Sequence, residues 1–197
     1  MHSPKEADEF ELAPRITAGQ YKVWAQASPP CRAQIANMIK ARFGSRFLEP
    51  VMMSDRVKGG FAAIALSCLA IQALDSFRNG NAESNTAAAL QRFIRDNPEF
   101  LAMRGYEHAF YSNVRNALHH QAETRKGWRI HISGPVFEPT SKVVGAQSFV
   151  DGFRSTLSRY CLEIEHSNDD SPVWKRLVVK MGHVLKTCDS EAGVVGV

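Results

Sequence analysis

Cysteine is scarce and scattered: the four residues, Cys31, Cys68, Cys161 and Cys188, lie far apart. That spacing offers neither a C-x-x-C zinc pair nor a disulfide framework, so the reading is of reduced thiols in a cytoplasmic protein. The stretch from Met1 to Leu12 carries acids and no apolar segment of the kind a secretory signal needs. Long hydrophobic runs are missing as well. The most apolar segment, 59–74, is interrupted by Ser67 and Gln72 and falls short of the roughly 20 residues that cross a bilayer. A buried core helix is expected there, and no membrane partner. No phosphate-cradling glycine loop, dinucleotide fingerprint or G-x-S-x-G elbow occurs, and no repeat period suggests a solenoid or propeller. No cofactor is expected.

What is present is an ordinary globular composition, 44% hydrophobic and 22% charged over 197 residues. A chain of that length holds one sizeable core with appendages. Pro4, Pro14 and Gly19 among scattered charges predict a flexible arm over 1–20, a single helical domain over 21–190 and a mobile glycine and valine tail over 191–197. The net charge of +4 permits contact with phosphates but is too small for a dense basic clamp.

The elements follow from periodicity and caps. Ser28 before Pro29-Pro30 predicts a helix carrying Ile35, Met38 and Ile39 inward as far as Gly44. Ser54 and Asp55 open the central helix, in which Phe61, Ile64, Leu66, Leu69, Ile71, Leu74 and Phe77 wrap most of the circumference before Gly80 ends it. Ser84 to Arg95 reads as a shorter helix, and Asn97-Pro98-Glu99 opens another that runs, kinked at Gly105, to Gln121. Trp128, Ile130 and Ile132 alternate with Arg129 and His131, the period of a half-buried strand, and Ser141 to Val144 is its partner in an expected β-hairpin. Two helices close the chain, Gln147 to Glu165 and Ser171-Pro172 to Lys186. The fold class is mostly α.

The chemistry concentrates on the helix ending at Gln121. At about 100° per residue, Phe110, Val114, Ala117 and Leu118 fall on one face, with His108, Ser112, Arg115, Asn116, His119 and His120 on the opposite half. Packing does not explain that polar set. Arg115 offers a fixed cation, Asn116 a hydrogen-bonding amide and His120 a group that exchanges protons near neutral pH, parts that suit phosphodiester cleavage. By spacing alone, a merely soluble helix face is the other reading.

The wording around these residues, Phe110-Tyr111-Ser112-Asn113-Val114-Arg115-Asn116-Ala117-Leu118-His119-His120-Gln121-Ala122-Glu123-Thr124, then Gly127-Trp128-Arg129-Ile130, resembles the R-x4-6-H signature of HEPN domains in its Arg-Asn-x3-His form. It is similar in particular to bacterial HEPN-like proteins with Phe-Tyr before the arginine, His-Gln-x-Glu-Thr after it and a Gly-Trp-Arg-Ile strand next. The resemblance covers about residues 54–165. It implies an HEPN-like helical bundle that pairs as a homodimer, and metal-independent RNA cleavage of the toxin or phage-defence type, with an antitoxin or defence protein as a further partner. Under it, Arg115 stabilises charge on the phosphoryl oxygens, His120 moves a proton and Asn116 orients a reacting oxygen, leaving a 2′,3′-cyclic phosphate and a 5′-hydroxyl. Some family members have lost catalysis, so the alternative is an RNA-binding or protein-interaction module. Ala122 stands where some HEPN toxins carry a tyrosine modified by a partner nucleotidyltransferase, which argues against that mode of regulation.

Three auxiliary assignments stay open on sequence alone. His119 is a second proton carrier, a phosphate contact or simply exposed. Asp75 tunes His120 or is a solvated helix-end acid. Arg125, Lys126 and Arg129 hold an RNA backbone through phosphate contacts or form an exposed turn. His108 and His119 lack a cysteine or carboxylate at ligand spacing, so no metal is assigned.

Overall fold

The computed structural model describes residues 6–54 and 59–193. In chain order the elements are β1 (Glu11–Ala13), β2 (Ile16–Thr17), α1 (Ala18–Gln26), α2 (Arg32–Phe43), α3 (Glu49–Ser54), α4 (Gly60–Asn79), α5 (Thr86–Asp96), α6 (Glu107–Phe110), α7 (Asn116–Gln121), β3 (Arg129–His131), β4 (Val143–Gly145), α8 (Ala146–Glu165) and α9 (Pro172–Gly193). The fold is mostly α, as the sequence predicts. The chain divides into two compact units. One takes the residues up to Ser45, Ser76–Ala82 and those from Ser158 onward; the other takes Arg46–Asp75 and Glu83–Leu157. The long helices α4 and α8 each contribute residues to both, which is why no linker marks the division in the sequence.

In the first unit the stretch expected as an arm carries regular elements from Ala7 onward. β1 pairs antiparallel with β2, Leu12 and Ala13 are buried, and the Arg42 guanidinium donates to the Leu12 carbonyl. Arg15, in the left-handed region at φ 63°, makes the turn between the strands without a glycine. A capping box then starts α1 at Ala18, ahead of the expected Tyr21: the Thr17 hydroxyl accepts from the Gln20 N–H while the Gln20 side chain accepts from the Thr17 N–H. Residues 1–5 lie outside the described residues. α2 buries Ile35, Met38 and Ile39 as predicted, although its N-cap is Cys31 rather than Ser28. α9 runs to Gly193, so the expected tail is helical at 191–193 and its remainder lies outside the described residues.

The second unit carries the motif. α5 starts on Asn85, whose side chain accepts from the Ala88 N–H, one residue beyond the predicted Ser84. Its core is a ladder of aromatic rings. Phe100 meets Phe93 and Phe149 edge-on at 5.0 Å, and Phe149 stacks on Phe110 at 5.3 Å. Phe110 faces Trp128 at 6.2 Å, and Trp128 stacks on Phe137 at 4.9 Å. The central helix starts at Gly60; Ser54 ends α3, and Asp55 lies outside the described residues. α4 is long and apolar enough to cross a membrane, the one such helix among the described residues, but 56% of its most apolar window is buried, as in a core helix. Phe61 (39%) and Leu69 (49%) are nevertheless exposed, so the apolar residues of α4 do not all face the core.

The expected β-hairpin is a parallel pair, with Arg129, Ile130 and His131 opposite Val143, Val144 and Gly145. The chain reverses twice between the strands, at Gly134-Pro135 and again where Glu138 and Val143 exchange backbone hydrogen bonds, and so returns in its original direction. Gly145 makes this crossing feasible. Its N–H donates to the Pro135 carbonyl, and a Cβ there would stand 2.7 Å from the Gly134 carbonyl oxygen, with the Pro135 oxygen closer still. Because backbone rather than a flexible side chain blocks the space, Gly145→Ala is expected to cost about 1–3 kcal/mol, read as a melting temperature lower by several degrees. An unchanged melting temperature would mean that β3 and β4 do not approach in this way.

Candidate active site on the α6–α7 helix

The helix predicted from Pro98 to Gln121 is interrupted more sharply than a kink. Pro98–Met103 forms a 3-10 turn, and Gly105 at φ +84° adopts a left-handed conformation that stops it. A second helix then runs from Glu107 to Gln121, with a π turn over Tyr111–Arg115 between α6 and α7, closed by the Asn116 N–H donating to the Tyr111 carbonyl. One extra residue in a turn sets everything after it back by about 100°. Asn113 accordingly joins Phe110, Val114 and Ala117 on the buried side, while Leu118, expected inside, is only half-buried.

That rotation places Leu118, with Arg115 and His119, on a cleft of about 270 Å³ whose other wall is Ala65, Cys68 and Leu69 of α4. Each helix presents an i, i+3, i+4 stripe, the spacing that lines one face. The cleft is therefore apolar on the α4 side and cationic on the α7 side. Arg115 and Asn116 are half-buried, and His119 and His120 are exposed. His120 is not a cleft-lining residue, but its ring lies edge-on to that of His119 with centroids 4.7 Å apart. Arg115 and His119 thus line one cleft, with the His120 ring against that of His119 and Asn116 beside Arg115 in the chain.

Cys68 forms the buried side of this wall. Burial pushes its thiol up to about 12, against the pull of the Arg115 charge, which acts in the opposite direction. Burial likewise raises Cys161, to about 11. Iodoacetamide at pH 8 is expected to label the half-buried Cys31 and to spare Cys68 and Cys161 in the native protein, read by peptide mass spectrometry. Labelling of Cys68 as fast as Cys31 would contradict the burial of its thiol.

Asp75 is neither a solvated acid nor uncommitted. Its side chain is 10% exposed; the Arg92 guanidinium donates to both carboxylate oxygens at 2.8 to 3.1 Å, and the Ser84 hydroxyl donates to one of them. It lies seven residues past Cys68 on α4, about 10 Å along the axis. Its evident work is to pin α5 and the Ser84 segment before it to α4, helped by the Gln72 amide donating to the Ser84 carbonyl.

After α7, Ala122 closes the helix in the left-handed region at φ 55°. Arg125, Lys126 and Arg129 are exposed around this elbow. The Arg125 N–H donates to the Asn113 carbonyl, its Nε donates to Gln121, and the Thr124 hydroxyl donates to the Trp128 carbonyl. Among the described residues no group of three or more His, Cys, Asp or Glu is arranged to hold a metal ion. Sequence reasoning missed Ala65, Cys68 and Leu69, the opposite wall, for which only the shared stripe spacing gave a signal. Compared with family models, curated proteins and solved structures, the chain matches none.

Proposed function

We propose that the protein is a metal-independent endoribonuclease of the HEPN type, a cytoplasmic toxin or phage-defence enzyme that acts as a homodimer and is restrained by a partner protein. The observation that carries this reading is that Arg115 and His119 line one cleft while the His120 ring packs edge-on against that of His119. In the proposed reaction His120 accepts the proton of a ribose 2′-hydroxyl, the 2′-oxygen bonds to phosphorus, and the bond to the 5′-oxygen breaks as that oxygen takes a proton from a second imidazole. His119, already lining the cleft, supplies that imidazole, or a second copy of the chain does. Arg115 neutralises the non-bridging oxygens as charge builds on them, and Asn116 orients one reacting oxygen. Incubation of purified protein with total RNA in EDTA tests this: fragmentation supports the nuclease, and intact RNA under all conditions speaks against it.

A second reading, an HEPN module that binds RNA or a protein without cutting, is favoured by one feature. The cations of the elbow, Arg125, Lys126 and Arg129, are separate from the cleft-lining residues. Protein that retards RNA in a gel and leaves it whole would select this alternative.

A further inference from the structure

The turn after α7 and the strand pair that follows collect cations from two distant stretches of chain. Lys142, which the sequence pattern did not single out, precedes β4, and its backbone carbonyl accepts from the Arg129 N–H at 3.0 Å. Its ammonium donates to the Lys126 carbonyl, and the Arg129 guanidinium donates to the Ser141 carbonyl. Lys126, Arg129 and Lys142 are therefore neighbours, and all three are exposed. Among the described residues none of them, nor Arg125, forms an ion pair with a carboxylate, whereas Lys22, Arg32, Arg78, Arg92, Arg95, Arg154 and Lys175 all do.

The backbone under these charges is fixed in a costly shape. Lys126 and Lys142 both sit at φ 52°, in the left-handed region that side chains other than glycine, asparagine and aspartate rarely occupy. Holding two lysines there keeps three unneutralised cations side by side, an arrangement that repels itself unless an anion completes it. An aromatic ring is connected to the group through two ring contacts. Tyr106, 36% exposed, packs edge-on against Phe137 at 5.0 Å, and Phe137 stacks on Trp128, which lies in the chain between Lys126 and Arg129.

Clustered cations and a solvent-accessible aromatic ring on the same strand-and-turn region are the parts with which proteins hold single-stranded nucleic acid, the cations on phosphates and the ring under a base. We infer that Lys126, Arg129 and Lys142, with Tyr106, form a binding site for single-stranded RNA outside the cleft, tethering the substrate strand on the side of His120. Arg125, bonded to Gln121 next to His120, leads the strand from the cleft to this site. The choice of RNA as the polyanion rests on the nuclease reading; the site itself does not.

The test uses a fluorescent single-stranded 2′-O-methyl oligonucleotide, which lacks the attacking hydroxyl and so cannot be cut, titrated by anisotropy at several potassium chloride concentrations. Each of Lys126→Gln, Arg129→Gln and Lys142→Gln is expected to weaken binding and to flatten the dependence of log affinity on log salt by about 0.7. Lys142→Arg is expected to keep the wild-type slope. Tyr106→Leu is expected to weaken binding at least about 5-fold with the slope unchanged. Thermal melts of each variant separate these effects from loss of fold. Wild-type affinity and slope in folded Lys142→Gln, or tighter binding of a duplex of the same length, would overturn the proposal. Parallel assays on ordinary RNA keep the two readings apart: the predicted slopes with uncut RNA support this site and remove the nuclease, while cut RNA with unchanged slopes removes only this site.

Discussion

Arg115→Ala is expected to lower the rate of RNA cleavage by about 10²–10³, the loss typical when a donor to a developing oxyanion is removed. Arg115 is half-buried against an apolar wall, where a charge interacts more strongly than in open water. Arg115→Lys should recover only part of the rate, since an ammonium keeps the charge but lacks the planar fork that spans two phosphoryl oxygens. His120→Ala is expected to cost about 10²–10⁴ through loss of proton transfer. His119→Ala distinguishes the roles of the two rings. A loss comparable to that of His120→Ala makes His119 the second proton carrier; a small change limits it to lining the cleft. Single-turnover cleavage with excess protein is the appropriate readout, because it separates the chemical step from substrate binding.

The largest effect on stability is expected from Phe110→Ala, at about 3–5 kcal/mol. Phe110 is fully buried, stacked on Phe149 and facing Trp128, and so joins the motif helix to α8 and to the start of β3. It also immediately precedes the π turn that presents Arg115 to the cleft. The cavity left by its ring cannot close without moving that turn, so the melting temperature should fall by roughly 6–20 °C for a chain of this size. Phe110→Leu, which keeps most of the volume, should cost much less. Equal melting temperatures for wild type and Phe110→Ala would contradict the aromatic ladder.

The helices α2, α5 and α8 were legible because their apolar residues recur at helical spacing, although the caps of α2 and α5 fall on other residues than the expected serines. The N-terminal strands were not. Pro14 and Gly19 read as breakers, and only pairing with a neighbouring strand shows that Leu12 and Ala13 are buried. The parallel sense of β3 and β4 depends on two successive reversals, one of them made by a lysine at positive φ that no turn signature announces. The π turn escapes pattern reading altogether, because it changes the hydrogen-bond register without changing residue type, and it moved Leu118 from the core to the cleft. The site was half legible. Arg115, Asn116, His119 and His120 stand together in the chain, whereas the wall of Ala65, Cys68 and Leu69 exists only once α4 packs beside them. Asp75 could not be placed from sequence because its partners, Ser84 and Arg92, lie 9 and 17 residues away.

Whether Arg115 and the paired histidines cut RNA through its own 2′-hydroxyl is decided by the chemistry of the fragment ends. Wild-type protein, Arg115→Ala and His120→Ala are incubated with total RNA in EDTA, and the fragment ends are sequenced with and without enzymatic opening of cyclic phosphates. Wild-type protein is expected to leave 2′,3′-cyclic phosphate and 5′-hydroxyl ends, lost in both variants. Cleavage that leaves 3′-hydroxyl ends, or that persists at the wild-type rate in either variant, would contradict it.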